Sequence, residues 1–98
     1  MNEDGYRRLY GIVKRGLSKA PDALSVDNAA AVTGYSRTLI LKSIQSGDLY
    51  SERIFAHYII PKEKLVGFLA GKSGLAIKYK SNFHRKMLQI LIEKGTGK

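Results

Sequence analysis

Apolar residues recur at helical spacing near the start of the chain: Tyr6, Leu9, Tyr10, Val13 and Leu17 share one face, and Arg7, Arg8, Lys14 and Arg15 fill the remainder. This predicts an amphipathic helix from about Tyr6 to Leu17 that covers part of a core. Gly11 and Gly16 weaken it, and "SKAPDA" ends it. From Leu24 the pattern shortens. Ser25 is an N-cap candidate for "VDNAAAVT", with Asp27 in the first turn, where a negative charge suits the helix dipole. Gly34 is suited to the left-handed conformation that ends a helix. Ser36 is placed to cap a second helix from Arg37 to Ser46, which Gly47 terminates. "DLYSERIFAHYIIP" is rich in Ile, Tyr and Phe and reads as two small strands. Pro61 suits the first position of a helix over "KEKLVGFLA", with Leu65, Phe68 and Leu69 turned inward. "GKSG" reads as a flexible joint and "LAIKYK" as a short strand or extended arm. "SNFHRKMLQILIEKG" reads as a closing helix, capped by Ser81 and stopped at Gly95.

Three parts follow: residues 1–23 as helix and linker, 24–70 as a helix pair with a hairpin, and 71–98 as a basic arm and terminal helix, together making one compact domain. The fold class expected is mainly α with a small β-hairpin wing.

The second helix, drawn as a wheel, puts Ile40 and Ile44 on one side with Leu39 and Ser43 beside them, against the preceding helix. Thr38, Leu41, Lys42 and Gln45 fall on the other side, and Ser36 and Arg37 lead the N-terminus. Those types suit a duplex: Arg37 can donate twice to a guanine edge, Gln45 can pair with adenine, Thr38 and Lys42 can reach phosphates, and Leu41 can meet a thymine methyl. The alternative is an ordinary solvated face with Leu41 as a protein contact.

The ordered set of "LSVDNAAAVTGYSR", "SIQSGDL" and "YIIPKEKLVGFLA" over residues 24–70 resembles the excisionase-type, MerR-like winged helix-turn-helix family. The resemblance implies DNA binding by Ser36, Arg37, Thr38, Leu41, Lys42 and Gln45, with Arg53 near the backbone. The alternative for Arg53 is an ion pair with Glu52 or a solvated side chain. His57, close to the wing tip, is read either as a further backbone contact or as an exposed histidine of no consequence. The tip "RIFAHY" departs from the family pattern, since Phe55 and Ala56 stand where a glycine turn is usual.

Composition adds a polyanionic partner. The 98 residues carry 17 Lys and Arg against 8 Asp and Glu, a net charge of +9. The charge sits mostly in the tail, where residues 71–98 hold seven basic side chains and one acidic. Lys72, Lys78, Tyr79, Lys80, Arg85 and Lys86 are read either as auxiliary nucleic-acid contacts of the kind that follow a single strand, or as a basic linker with a core tyrosine. Phe83, Met87, Leu88, Ile90, Leu91 and Ile92 spread an apolar arc round the terminal helix. It is either buried on the N-terminal helix or meets a second copy or a larger protein partner.

The absence of cysteine removes disulfides and thiolate sites. His57 and His84 have no evident carboxylate companions, so neither metal nor cofactor is expected, and no catalytic constellation stands out. With no apolar run of spanning length and no signal pattern, a cytoplasmic protein without membrane contact is expected. The function expected is a small DNA-binding protein of the excisionase or regulator type from a mobile genetic element. The alternative is a non-enzymatic accessory subunit that helps a replication or recombination enzyme hold single- or double-stranded nucleic acid.

Overall fold

A computed structural model describes residues 3–96. Helices α1 (Glu3–Gly16), α2 (Val26–Thr33), α3 (Arg37–Ser46), α4 (Lys62–Ala70), α5 (Lys72–Leu75) and α6 (Asn82–Thr96) accompany strands β1 (Ala23–Leu24), β2 (Glu52–Ile54) and β3 (His57–Pro61). The strands form a three-stranded antiparallel sheet in the order β1-β3-β2. The protein is mainly helical with a small β wing, as the hydrophobic pattern predicts.

Each end of the helix pair is closed by a local hydrogen bond. The Ser25 hydroxyl accepts from the Asn28 N–H at 3.0 Å, and the Asn28 amide oxygen accepts from the Ser25 N–H, a reciprocal cap. Gly34 then takes φ 78°, a left-handed turn that any side chain would strain. A Cβ there would also stand 3.2 Å from the Ser81 Cβ. Ser36 caps α3 by accepting from the Leu39 N–H at 3.0 Å.

Leu9, Val13 and Leu17 from α1 and its exit join Leu24, Ile40, Leu49, Ile60, Leu65, Leu69 and Met87 in a single buried cluster. Full burial of each such side chain stabilises by about 1.5–3 kcal/mol. α1 packs on both α4 and α6. The terminal helices therefore belong to the same core as the helix pair.

Several expectations need correction. α1 begins at Glu3, earlier than Tyr6, because Glu3 and Asp4 add a favourable acidic first turn. β1 has no periodic signature. It is two residues long and exists because Ala23 and Leu24 pair with Pro61 and Ile60. Pro61 ends β3 and precedes the helix, so Lys62 is the first helical residue. The Lys62 N–H donates to the Asp22 carbonyl at 2.7 Å and its ammonium to the Ala20 carbonyl at 2.8 Å, which pins the linker.

"GKSG" is a packed helical turn rather than a flexible joint. Gly74 is buried, and a Cβ on it would stand 2.3 Å from the Phe68 carbonyl oxygen. The expected strand or arm at "LAIKYK" is the end of α5 and a loop. Gly95 does not stop α6, which runs to Thr96.

The apolar arc of α6 is largely turned onto the protein's own α1. Met87 is buried, and Phe83, Leu88, Ile90 and Leu91 are half-buried against the core. The seam is close: a Cβ on Gly16 would lie 2.8 Å from the Met87 sulfur and 3.1 Å from the Phe83 ring. Only Ile92 among the six residues of the arc is exposed, at 58 %.

Candidate nucleic-acid interface

α3 is held by its inward side. Ile40 is completely buried, and Leu39, Ser43 and Ile44 are half-buried. At 100° per residue, that anchoring turns Thr38, Lys42 and Gln45 outward together, and all three are exposed. Ser36 and Arg37 are exposed at the N-terminal end. Leu41 is different. It is half-buried and packed against the core, at the edge of the outward face. Its place there is a correction to the fully outward reading: it packs on the buried cluster and shares a cavity lining with the hairpin.

The hairpin lies along this edge. A cavity of about 320 Å³ is lined by Asp27, Arg37 and Leu41 on the helical side and by Ala56, His57 and Tyr58 on the wing. Arg37 is oriented by an ion pair: its Nε donates to the Asp27 Oδ1 at 2.7 Å, with both side chains mostly in solvent. Arg53 lies over the Tyr58 ring, 5.2 Å from the centroid, so the wing's cation is stacked on an aromatic face. His57 is exposed and pairs with Ile54 across the tip. The wing tip itself carries Phe55, with φ 56° and 94 % exposure.

The loop before α6 runs past the turn between α2 and α3. The Ser81 hydroxyl donates to the Thr33 carbonyl at 2.6 Å and accepts from the His84 N–H at 3.1 Å, so one side chain both joins the turn and caps α6. Lys78 and Tyr79 precede Ser81 by three residues or fewer, which limits their Cα atoms to about 10 Å from it. Both are exposed, and the Lys78 ammonium sits 5.4 Å from the Tyr79 ring centroid. The tie fixes the end of the basic loop, at Ser81, beside the α2–α3 turn, a placement that sequence spacing could not give.

The rest of the tail divides. Lys72 and Lys86 are exposed. Arg85 donates to the Asn82 side chain within its own helix. Lys80 is committed to the fold: its ammonium donates to the Leu75 carbonyl at 2.9 Å and the Ile77 carbonyl at 2.7 Å, which closes the α5–α6 loop. It is removed from the auxiliary contacts for that reason.

His84 supplies the structural tie that the sequence reading missed. It is completely buried. Its Nε2 faces the Leu69 carbonyl at 2.8 Å and must donate there, which leaves Nδ1 to accept from the Tyr35 hydroxyl. Burial pushes the imidazole pKa below its ordinary 6.5. The Leu69 bond opposes this, and the Lys80 charge adds to it. Burial likewise pushes the Tyr35 phenol up. Ionisable residues 49 positions apart leave no periodic trace, and only the three-dimensional fold joins them.

Among the described residues no cluster of three or more His, Cys, Asp or Glu could hold a metal ion, and no helix is long and apolar enough to cross a membrane. Comparison of the chain with protein-family models, curated proteins and solved structures gives no match.

Proposed function

We propose that the protein is a non-enzymatic binder of duplex DNA, of the excisionase or small-regulator kind, serving a mobile genetic element. It lays α3 in the major groove and its wing against the adjoining backbone. The observation that carries this reading is the shared outward face of Thr38, Lys42 and Gln45 on a helix that is capped by Ser36, anchored by Ile40 and flanked by a hairpin. A reader of this kind presents its N-terminal residues to base edges. Arg37 reads through its Nη groups while Nε stays on Asp27. Gln45 and Thr38 meet base edges or phosphate, and Lys42, Arg53 and Lys78 meet phosphates. The net charge of +9 supports the polyanionic partner, and the resemblance of residues 24–70 supports the biological setting.

The test is a gel shift comparing three probes: a duplex enriched by the protein from a random-sequence pool, a random duplex and a single strand. The enriched duplex is expected to bind most tightly, and Arg37→Ala to erode that preference by about 5- to 100-fold, the usual worth of one bidentate base contact. Three phosphate contacts predict that log K falls against log salt with a slope of roughly −3. Equal binding of all three probes, or tightest binding of the single strand, would overturn the reading and favour the accessory-subunit role.

A further inference from the structure

Phe55 occupies a position that folding alone does not favour. Ile54 and His57 pair across the tip and leave a two-residue loop of Phe55 and Ala56. Such loops need a left-handed first residue, a role for which Gly, Asn or Asp is suited. Phe55 takes φ 56°, an unfavourable conformation for a bulky side chain. Its ring is also 94 % exposed, the most of any large apolar side chain described. The residue thus carries two costs, a strained backbone and an apolar ring in water. Strain of this kind persists at ligand-binding positions, where the rest of the fold holds it in place.

The surroundings identify the occupant. Exposed apolar area at the tip amounts to Phe55 and the half-exposed Ile54, far too little for a protein interface of ordinary size. The ribbon behind the tip carries Arg53 and His57, and Ala56 and His57 line the same cavity as Arg37 and Leu41 at the edge of α3. One cation, Arg53, and the His57 imidazole flank the ring, while the ribbon's one acid, Glu52, stands three residues back from Phe55. A single ring between them on a narrow ribbon matches stacked bases beside a phosphate backbone.

We propose that Phe55 is an apolar wedge that enters between two base pairs of the duplex held by α3, from the groove flanking it, and bends the DNA there. The proposal rests on the duplex-binding reading above. Apolar side chains inserted at a base step partly unstack it and kink the helix, and pyrimidine–purine steps yield most readily.

The experiment compares the full wild-type chain with Phe55→Gly and Phe55→Leu. The probe is the duplex enriched by the wild type from a random-sequence pool, carrying donor and acceptor dyes at its two ends. Phe55→Gly removes the ring and relieves the backbone together. It is expected to raise the thermal midpoint by a few degrees while lowering duplex affinity about 5- to 100-fold and abolishing the bend seen by energy transfer. Phe55→Leu is expected to retain part of the bend. If the wild type binds and bends the duplex but Phe55→Gly does so equally well, the wedge is refuted and the α3 reading stands. A lowered thermal midpoint in Phe55→Gly would show that the ring serves the fold, and refutes the wedge as well. A wild type that binds no duplex overturns both readings.

Discussion

Replacing His84 with alanine is expected to cost about 3–5 kcal/mol. The substitution leaves the buried Tyr35 hydroxyl and Leu69 carbonyl without the partners they have now, at about 1–3 kcal/mol each, and the lost ring adds a cavity term. A chain of this size has about 5–15 kcal/mol of total stability, so the variant should unfold at low urea. Acid adds a second signature. The folded pKa lies below the ordinary 6.5, with desolvation as the main cause and Lys80 as the cation that adds to it. The unfolded chain therefore takes up its proton first. The His84 contribution is complete above about pH 6.5 and declines as pH falls from there to the depressed folded value, at up to about 1.4 kcal/mol per pH unit. Urea unfolding followed by circular dichroism, at about pH 7.5 and about pH 5.5, measures both effects. Subtracting the His84→Ala curve from the wild-type curve isolates the His84 contribution. A loss under about 1 kcal/mol at the higher pH, or a difference that does not change with pH, would refute the buried neutral imidazole as the tie between α6 and the helix pair.

Gly74→Ala should cost about 1–3 kcal/mol by thermal unfolding, because the new methyl meets the backbone of Phe68 and Leu69 and no flexible side chain can give way; an unchanged midpoint would mean that α5 is not packed as described. Asp27→Asn should leave stability within about 0.5 kcal/mol, since its ion pair is mostly solvated. The same change keeps an oxygen that can accept from the Arg37 Nε and removes a negative charge beside it, so duplex binding should strengthen severalfold; weakened binding in the gel shift would show that the charge of Asp27 is needed to hold Arg37.

The elements that could be read from the sequence were those closed locally. Ser25, Gly34, Ser36 and Gly47 carry the boundaries of α2 and α3 in their own chemistry, and the period of Ile40 and Ile44 fixes which side of α3 turns inward. The elements misread were those decided by distant partners. Gly74 signals freedom in a sequence, but here its lack of a side chain admits the Phe68 carbonyl. Lys80 has the composition of a phosphate contact, but two nearby carbonyls hold its ammonium. Leu41 has the spacing of an outward residue, but it packs against the buried cluster at the edge of that face. The breadth of the α6 arc left burial on α1 and a partner contact both open in the sequence, and α1 packs against α6 in the fold.

Because Ser81 and His84 reach back to Thr33, Tyr35 and Leu69, residues 24–70 are tied to the segment that follows them. Cutting after Gly71 would strip the Thr33 and Leu69 carbonyls and the Tyr35 hydroxyl of their donors and acceptor, and would bare the α1 surface under Met87. Residues 24–70 taken alone would keep their sequence signature but lose the brace that sets the angle between the two short helices. Shortening the protein from its C-terminal side would therefore loosen the α2–α3 turn before it removed any residue of the outward face of α3.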